Sequence, residues 1–173
     1  MFEPSDTIYF TTMDSPIGQL RLAGNESSLI RILFEHEEIE GPTENPWIED
    51  RANLQPVVNQ LTEYFEGERL SFDVAMEPHG TTFQKSVWEK LLDIPYGETT
   101  TYGTLADQLG NPNGSRAVGT ANGQNRIPIL IPCHRVIGRD GSLTGYAGGL
   151  EIKEFLLDLE RKHAQSGQGI FSF

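Results

Sequence analysis

Short β-rich segments open this chain and helical segments follow, and that order restricts the fold more than any other feature. Residues 8–13, 19–23 and 29–34 have strand composition, with turns at Ser15-Pro16-Ile17-Gly18 and Gly24-Asn25. The acidic stretch 35–50 carries Gly41-Pro42 and Asn45-Pro46 and reads as an exposed loop. A helix is predicted over 56–66, with Pro56 in its first turn and an apolar stripe of Val57, Leu61, Tyr64 and Phe65. Residues 70–76 suggest one more strand, and Pro78-His79-Gly80 marks a boundary.

Beyond that boundary the apolar period becomes helical. Thr82 is read as the cap of a helix whose inner face is Phe83, Val87, Trp88, Leu91 and Leu92. Thr101 caps a second, through Leu109. Gly110-Asn111-Pro112-Asn113 ends it, and a third runs over 115–123. Two short helices about a glycine-containing turn suggest a helix-turn-helix. Residues 129–131 read as a short buried strand, 138–149 as a glycine-rich loop. A last helix over 150–162 is expected to bury Ile152, Phe155, Leu156 and Leu159. The class is α+β, with domains at 1–80 and 81–163 and a tail at 164–173.

The chain has one cysteine, so no internal disulfide forms, and a reducing, cytoplasmic setting is the simplest reading. The histidines at 36, 79, 134 and 163 lack metal-ligand spacing, so no metal is expected. No apolar run approaches the roughly 20 residues of a membrane span, and residues 1–9 lack the features of a secretory leader. The net charge of -12 argues against a generic nucleic-acid binder. Its distribution qualifies that: residues 1–80 carry a net of -12, residues 81–150 a net of +1, and the remainder -1. Any nucleic-acid face lies in the second half, with weak non-specific affinity.

A lone cysteine is ordinarily a small buried hydrophobe. Here Cys133 follows an apolar run and Pro132, and precedes His134 and Arg135. A nucleophilic thiol needs a base or a positive field, and His134 is a candidate base acting through a water or a local bend. Five small residues, Ser115, Ala117, Gly119, Thr120 and Ala121, lie along the third helix, although a mid-helix glycine costs roughly 1 kcal/mol. Such a face lets the helix backbone approach another surface closely, whether a neighbouring helix or a ligand.

The segment Ile131-Pro132-Cys133-His134-Arg135-Val136 resembles the active-site signature of the O6-alkylguanine-DNA alkyltransferases, also called methylated-DNA–protein-cysteine methyltransferases. The resemblance continues in Pro95-Tyr96-Gly97-Glu98-Thr99-Thr100-Thr101-Tyr102, in Arg116-Ala117-Val118-Gly119, at Asn125, and in Gly145-Tyr146-Ala147-Gly148-Gly149-Leu150. It covers residues 82–160; the first 80 residues match mainly in element order. Three departures stand out: Arg126 where proline is common, Phe155 where tryptophan is frequent, and no zinc-binding N-terminal cluster.

The resemblance implies a small ribonuclease-H-like sheet-plus-helix domain followed by a helix-turn-helix (winged-helix-like) domain carrying the cysteine. It implies a suicidal methyltransferase in which Cys133 takes the alkyl group from O6-alkylguanine in double-stranded DNA, once per molecule and with no cofactor. O4-alkylthymine is a second candidate substrate. His134 would take the thiol proton through water, Glu160 would orient the imidazole, and Tyr102 would donate to guanine N3. The carbonyls of Cys133 and Val136 would accept from the exocyclic amine, and the Ala147 N–H would donate to O6. Tyr146 and Gly148 complete that base pocket. Ser115, Ala117, Gly119 and Thr120 would lie in the minor groove, and Arg116 would fill the gap left by the flipped nucleotide. Asn125 would brace the turn before Cys133. The protein is expected to act as a monomer, away from membranes, with a thiol pKa below the free value. Two rivals are a non-reacting module that recognises alkylated bases and recruits repair partners, and a cysteine hydrolase. The hydrolase explains neither Arg116 nor the helix-turn-helix.

Overall fold

The computed structural model describes residues 7–38 and 47–168. The chain divides into two compact units, Met1–His79 and Gly80–Phe173. As the element order implied, the class is α+β: a sheet with one helix comes first, and a helical unit with one small ladder follows.

In the first unit, β1 (Tyr9–Met13), β2 (Leu20–Gly24) and β3 (Leu29–Phe34) form an antiparallel meander. Leu22 lies opposite Thr11 on one side and Ile32 on the other. A two-residue strand that the sequence did not reveal, β4 (Ile48–Glu49), pairs in parallel with β1 and completes the order β3-β2-β1-β4. Gly41-Pro42 and Asn45-Pro46 of the expected loop lie outside the described residues. The helix α1 (Arg51–Phe65) begins earlier than Pro56, because Asp50 accepts from the Ala52 N–H as its N-cap. Pro56 sits inside the helix on an exposed face. Leu54, Val57, Val58, Leu61 and Tyr64 are buried, and α1 packs on β1 and β2. The strand expected over 70–76 is absent. Only an isolated bridge joins Leu29 to Met76, with the Ala75 carbonyl accepting from the Leu29 N–H at 2.8 Å.

The second unit opens with α2 (Thr82–Leu91). Its cap is Thr81, not Thr82. The Thr81 hydroxyl accepts from the Gln84 N–H, and the Gln84 side chain accepts from the Thr81 N–H. Val87, Trp88 and Leu91 are buried, whereas Phe83 and Leu92 remain exposed. The indole N–H of Trp88 donates to the Ala121 carbonyl at 2.9 Å, tying α2 to α4 (Ser115–Gly123). Thr101 caps α3 (Tyr102–Gln108), which ends where Gly110 takes a φ of +72°. That left-handed value favours glycine and turns the chain toward α4. The pair α3 and α4 forms the expected helix-turn-helix. Two short strands, β5 (Thr100–Thr101) and β6 (Val136–Ile137), pair in parallel beside it.

Residues 129–131 are not a strand. The Ile131 N–H donates to the Ile127 carbonyl at 3.0 Å, closing a turn in which Ile129 has a φ of +75°. This is a costly conformation for a β-branched residue, and the surrounding buried turn holds it. The last helix, α5 (Leu150–Gln168), runs past Lys162, so residues 164–168 are helical and not part of a tail; residues 169–173 lie outside the described residues. Its buried face is Lys153, Leu156, Leu157 and Glu160, while Phe155 is 38% exposed. Among the described residues, no helix is long and apolar enough to cross a membrane.

The position of the α2 cap is directly testable. Thr81→Ala should lower unfolding free energy by about 1 kcal/mol, and Thr82→Ala should change it by less than about 0.5 kcal/mol. Urea denaturation of both variants checks this, and the reverse order would restore the cap to Thr82.

Candidate active site

Cys133 opens a single 3-10 turn, Cys133–Arg135, packed against α2 and α5. The turn follows from the strained loop before it. Asn125 spans that loop: its amide donates to the Ile131 carbonyl at 2.9 Å, and its oxygen accepts from the Ile127 N–H at 3.0 Å. The Cys133 N–H then donates to the Ile131 carbonyl at 2.8 Å, and the Asn122 amide reaches the Cys133 carbonyl at 3.4 Å. A 3-10 turn places consecutive side chains about 120° apart, so His134 and Cys133 need not point to opposite faces as in a strand.

The centre of the site is the Glu160 carboxylate, which has no solvent exposure. His134 Nε2 lies 2.7 Å from Oε1. Arg135 donates through Nε to Oε2 at 2.8 Å and through a terminal nitrogen to Oε1 at 3.0 Å. The Gly97 N–H donates to Oε2 at 3.2 Å. A further guanidinium N–H of Arg135 donates to the Ile94 carbonyl at 2.6 Å. Burial alone would raise the Glu160 pKa, but the bonds and charge of His134 and Arg135 outweigh it and hold the carboxyl down at about 2. Burial drives the His134 pKa below its usual value, against the pull of Glu160, so the resting imidazole is neutral. A neutral imidazole facing an ionised carboxylate carries its proton on Nε2. Nδ1 then presents a lone pair; it is buried and has no hydrogen-bond partner among the described residues.

The thiol differs from expectation. Cys133 is 4% exposed, and burial pushes its pKa up to about 11 although Asn125 and Lys153 favour the thiolate. Desolvation of the anion exceeds those two stabilising contacts, so the resting sulfur is a protonated thiol.

Two charged residues here escaped the sequence reading. Arg135 clamps Glu160, as described. Lys153 is fully buried, and its ammonium donates to the Val136 carbonyl at 2.6 Å and the Thr144 carbonyl at 2.8 Å. It thereby joins β6 to the glycine-rich loop. The signal for Lys153 was spacing, since it falls on one stripe of α5 with Leu156, Leu157 and Glu160; Arg135 carried no comparable signal.

In the same unit, an open pocket of about 630 Å³ is lined by Tyr102, Ser115, Arg116, Gly119, Gly123, Thr144, Gly145, Tyr146 and Ala147. Six residues singled out from the sequence as base or DNA contacts, Tyr102, Ser115, Arg116, Gly119, Tyr146 and Ala147, thus share one concave surface. Ala117 and Thr120 are exposed on α4 outside its wall, and Gly148 is also off the wall. Cys133, His134, Val136 and Glu160 lie buried and do not line it. A Cβ at Gly119 would sit 3.6 Å from the Tyr102 ring, an ordinary contact, so α4 and that phenol lie side by side without glycine being required. Among the described residues, no cluster of His, Cys, Asp and Glu suits a metal ion.

Comparison with known proteins gives a consistent result. Residues 82–162 match the family model described as 6-O-methylguanine DNA methyltransferase, DNA binding domain. Residues 8–78 match its ribonuclease-like domain. The chain is 52% identical over 155 residues to the methylated-DNA–protein-cysteine methyltransferase of Methanosarcina acetivorans, covering 88% of this chain and 98% of the relative. It is 48% identical over 164 residues to that of Mycobacterium tuberculosis, covering 95% and 99%. The crystal structure of Mycobacterium tuberculosis OGT in complex with DNA superposes with a TM-score of 0.84 at 48% identity, covering 90% of this chain and 94% of that one.

The buried charge cluster predicts how stability depends on sequence and pH. Glu160→Gln leaves the Arg135 charge without its partner and should cost about 3–5 kcal/mol of unfolding free energy. Because the folded pKa of Glu160 lies below that of the unfolded chain, its contribution is fully present above about pH 4.5 and disappears as pH falls toward about 2. Denaturant melts from pH 7 to pH 3 should therefore show a steeper loss for the parent than for Glu160→Gln. Parallel curves would mean that Glu160 is not held ionised.

Proposed function

Given that the chain belongs to the 6-O-methylguanine DNA methyltransferase family, we propose that Cys133 is the single-use acceptor of the alkyl group, with His134 as its base. The protein is a DNA-repair transferase that acts by alkyl transfer. The observation that carries the residue assignment is the buried His134, next to the only cysteine in the chain and hydrogen-bonded to Glu160.

In the proposed reaction, Sγ attacks the alkyl carbon in line with the O6–carbon bond. The new S–C bond forms as the C–O6 bond breaks, and its electron pair passes to the purine. The thiol proton moves, through a water, to His134 Nδ1. Glu160, ionised, stabilises the imidazolium that results. With the resting thiol protonated, no standing thiolate is required; the proton leaves as the alkyl carbon arrives. Tyr102 hydrogen-bonds guanine N3 and offsets charge on the leaving base. The Cys133 and Val136 carbonyls and the Ala147 N–H read the base edge, and Tyr146 and Gly148 shape its surroundings.

The duplex is engaged by α4. Its small residues Ser115, Ala117, Gly119 and Thr120 allow close approach to the minor groove, and exposed Arg116 takes the place of the flipped nucleotide. Flipping is needed because the reactive carbon is inaccessible inside a stack, and it costs a few kcal/mol. The second unit is the docking face, since the first 80 residues carry the net negative charge. The protein acts as a monomer in the cytoplasm. The S-alkyl cysteine has no group here to regenerate it, so each molecule reacts once.

Intact mass after incubation with an oligonucleotide containing O6-methylguanine should rise by one methyl per protein, on Cys133, and Cys133→Ser should abolish the gain while retaining DNA binding. A methyl on another residue, or turnover beyond one, would overturn the assignment. Arg116→Ala should slow repair of duplex by about tenfold or more, consistent with a few kcal/mol for flipping, and leave reaction with free O6-alkylguanine base nearly unchanged. Equal slowing on both substrates would move Arg116 from flipping into chemistry or folding.

A further inference from the structure

One hydroxyl at the mouth of the pocket has no part in the scheme above. Thr144 lines the pocket beside Tyr102, and its Oγ1 donates to the Tyr102 phenol oxygen at 2.9 Å. The residue is anchored by its backbone, since the buried Lys153 ammonium holds its carbonyl at 2.8 Å and the Val136 carbonyl at 2.6 Å. The Tyr102 ring packs against α4 at Gly119, where even an added Cβ would stand in ordinary contact with it at 3.6 Å. The two hydroxyls are therefore set by three elements: α3, α4 and the glycine-rich loop.

We propose that Thr144 is a positioning residue for transfer, donating to Tyr102 so that the phenol proton is aimed at, and more readily shared with, the departing base. The proposal rests on the reading that Tyr102 hydrogen-bonds the base. A phenol O–H lies near the ring plane and has two favoured orientations. A donor seated on one side of the oxygen blocks one of them and leaves the proton to the other. A hydrogen bond received by the phenol oxygen also stabilises the negative charge that grows there as its proton is drawn toward the base, and such chains strengthen one another. The effect appears only as charge develops on the purine, which places it in the transition state and not in ground-state binding. No bond to Thr144 is made or broken.

The test compares single-turnover transfer from an O6-methylguanine duplex for the parent, Thr144→Val, Thr144→Ser, Tyr102→Phe and the Tyr102→Phe/Thr144→Val double variant. Removing one such hydrogen bond should lower the limiting transfer rate of Thr144→Val by about three- to tenfold. Its affinity for the duplex, measured in a Cys133→Ser background, should not change. Thr144→Ser keeps the hydroxyl and should recover at least half of the parent rate. The double variant should match Tyr102→Phe alone, because a donor to an absent oxygen has nothing to act on. A parent-like Thr144→Val with a slow Tyr102→Phe would overturn the role of Thr144 and leave that of Tyr102 standing. If Tyr102→Phe itself transfers at the parent rate, the underlying assignment of Tyr102 fails. Additive losses in the double variant, or no recovery with serine, would show that Thr144 acts by packing and refute the proposal.

Discussion

The second unit depends on one buried carboxylate. Glu160 receives His134, two nitrogens of Arg135 and the Gly97 N–H, and the His134, Arg135 and Glu160 side chains are buried. An isolated carboxylate in such a place would protonate, since burial of an unpaired charge costs several kcal/mol. Arg135 prevents that, because its guanidinium cannot give up its proton. The permanently ionised Glu160 can then fix the tautomer of a neutral His134. Structure and proposed chemistry therefore share one group. A loss of activity on altering Glu160 reports folding as well as proton transfer, and the two separate only when stability is measured beside rate.

The same burial explains why the cysteine is quiet at rest. The thiol sits buried in its turn, and the cost of an anion there exceeds what Asn125 and Lys153 return. A pre-formed thiolate, the usual device for a reactive cysteine, is replaced in the proposed reaction by a base held in the right state next to a protonated sulfur.

Backbone placement gives the site its shape. Asn125 braces a turn that includes a left-handed Ile129, and Lys153 draws the glycine-rich loop toward β6 through two carbonyls. These side chains act on main-chain atoms two or more residues from the reacting groups. The small face of α4 lies beside the Tyr102 ring at Gly119 and leaves Ala117 and Thr120 exposed, which suits the close approach to a duplex proposed for this helix.

Several features were legible from the sequence. The change from strand-like to helical patterning set the class; β-rich composition and turn residues located the first three strands, and caps, breakers and an apolar stripe located α2, α3 and α4, to within a residue or two. The ordered motifs around Cys133 named most of the residues that line the pocket or touch Glu160. Other features were not legible, for identifiable reasons. The start of α1 was set by the Asp50 cap and not by Pro56, since a proline is tolerated on an exposed helix face when packing of Leu54 and Val57 favours the longer helix. Residues 129–131 looked like a strand because they are apolar, but apolar character records burial and not backbone direction, which Asn125 decided. On α5, the stripe Ile152, Phe155, Leu156 and Leu159 and the stripe Lys153, Leu156, Leu157 and Glu160 have equal helical spacing. Hydrophobicity favours the first, yet the second is buried, because Arg135, His134 and two carbonyls arrive from elsewhere in the chain to satisfy its charges. Sequence alone determined which residues are candidates for the proposed chemistry and the order of the elements that carry them. The protonation states, the left-handed turn and the buried face of α5 were decided only in the tertiary structure, where charges distant in sequence meet out of water.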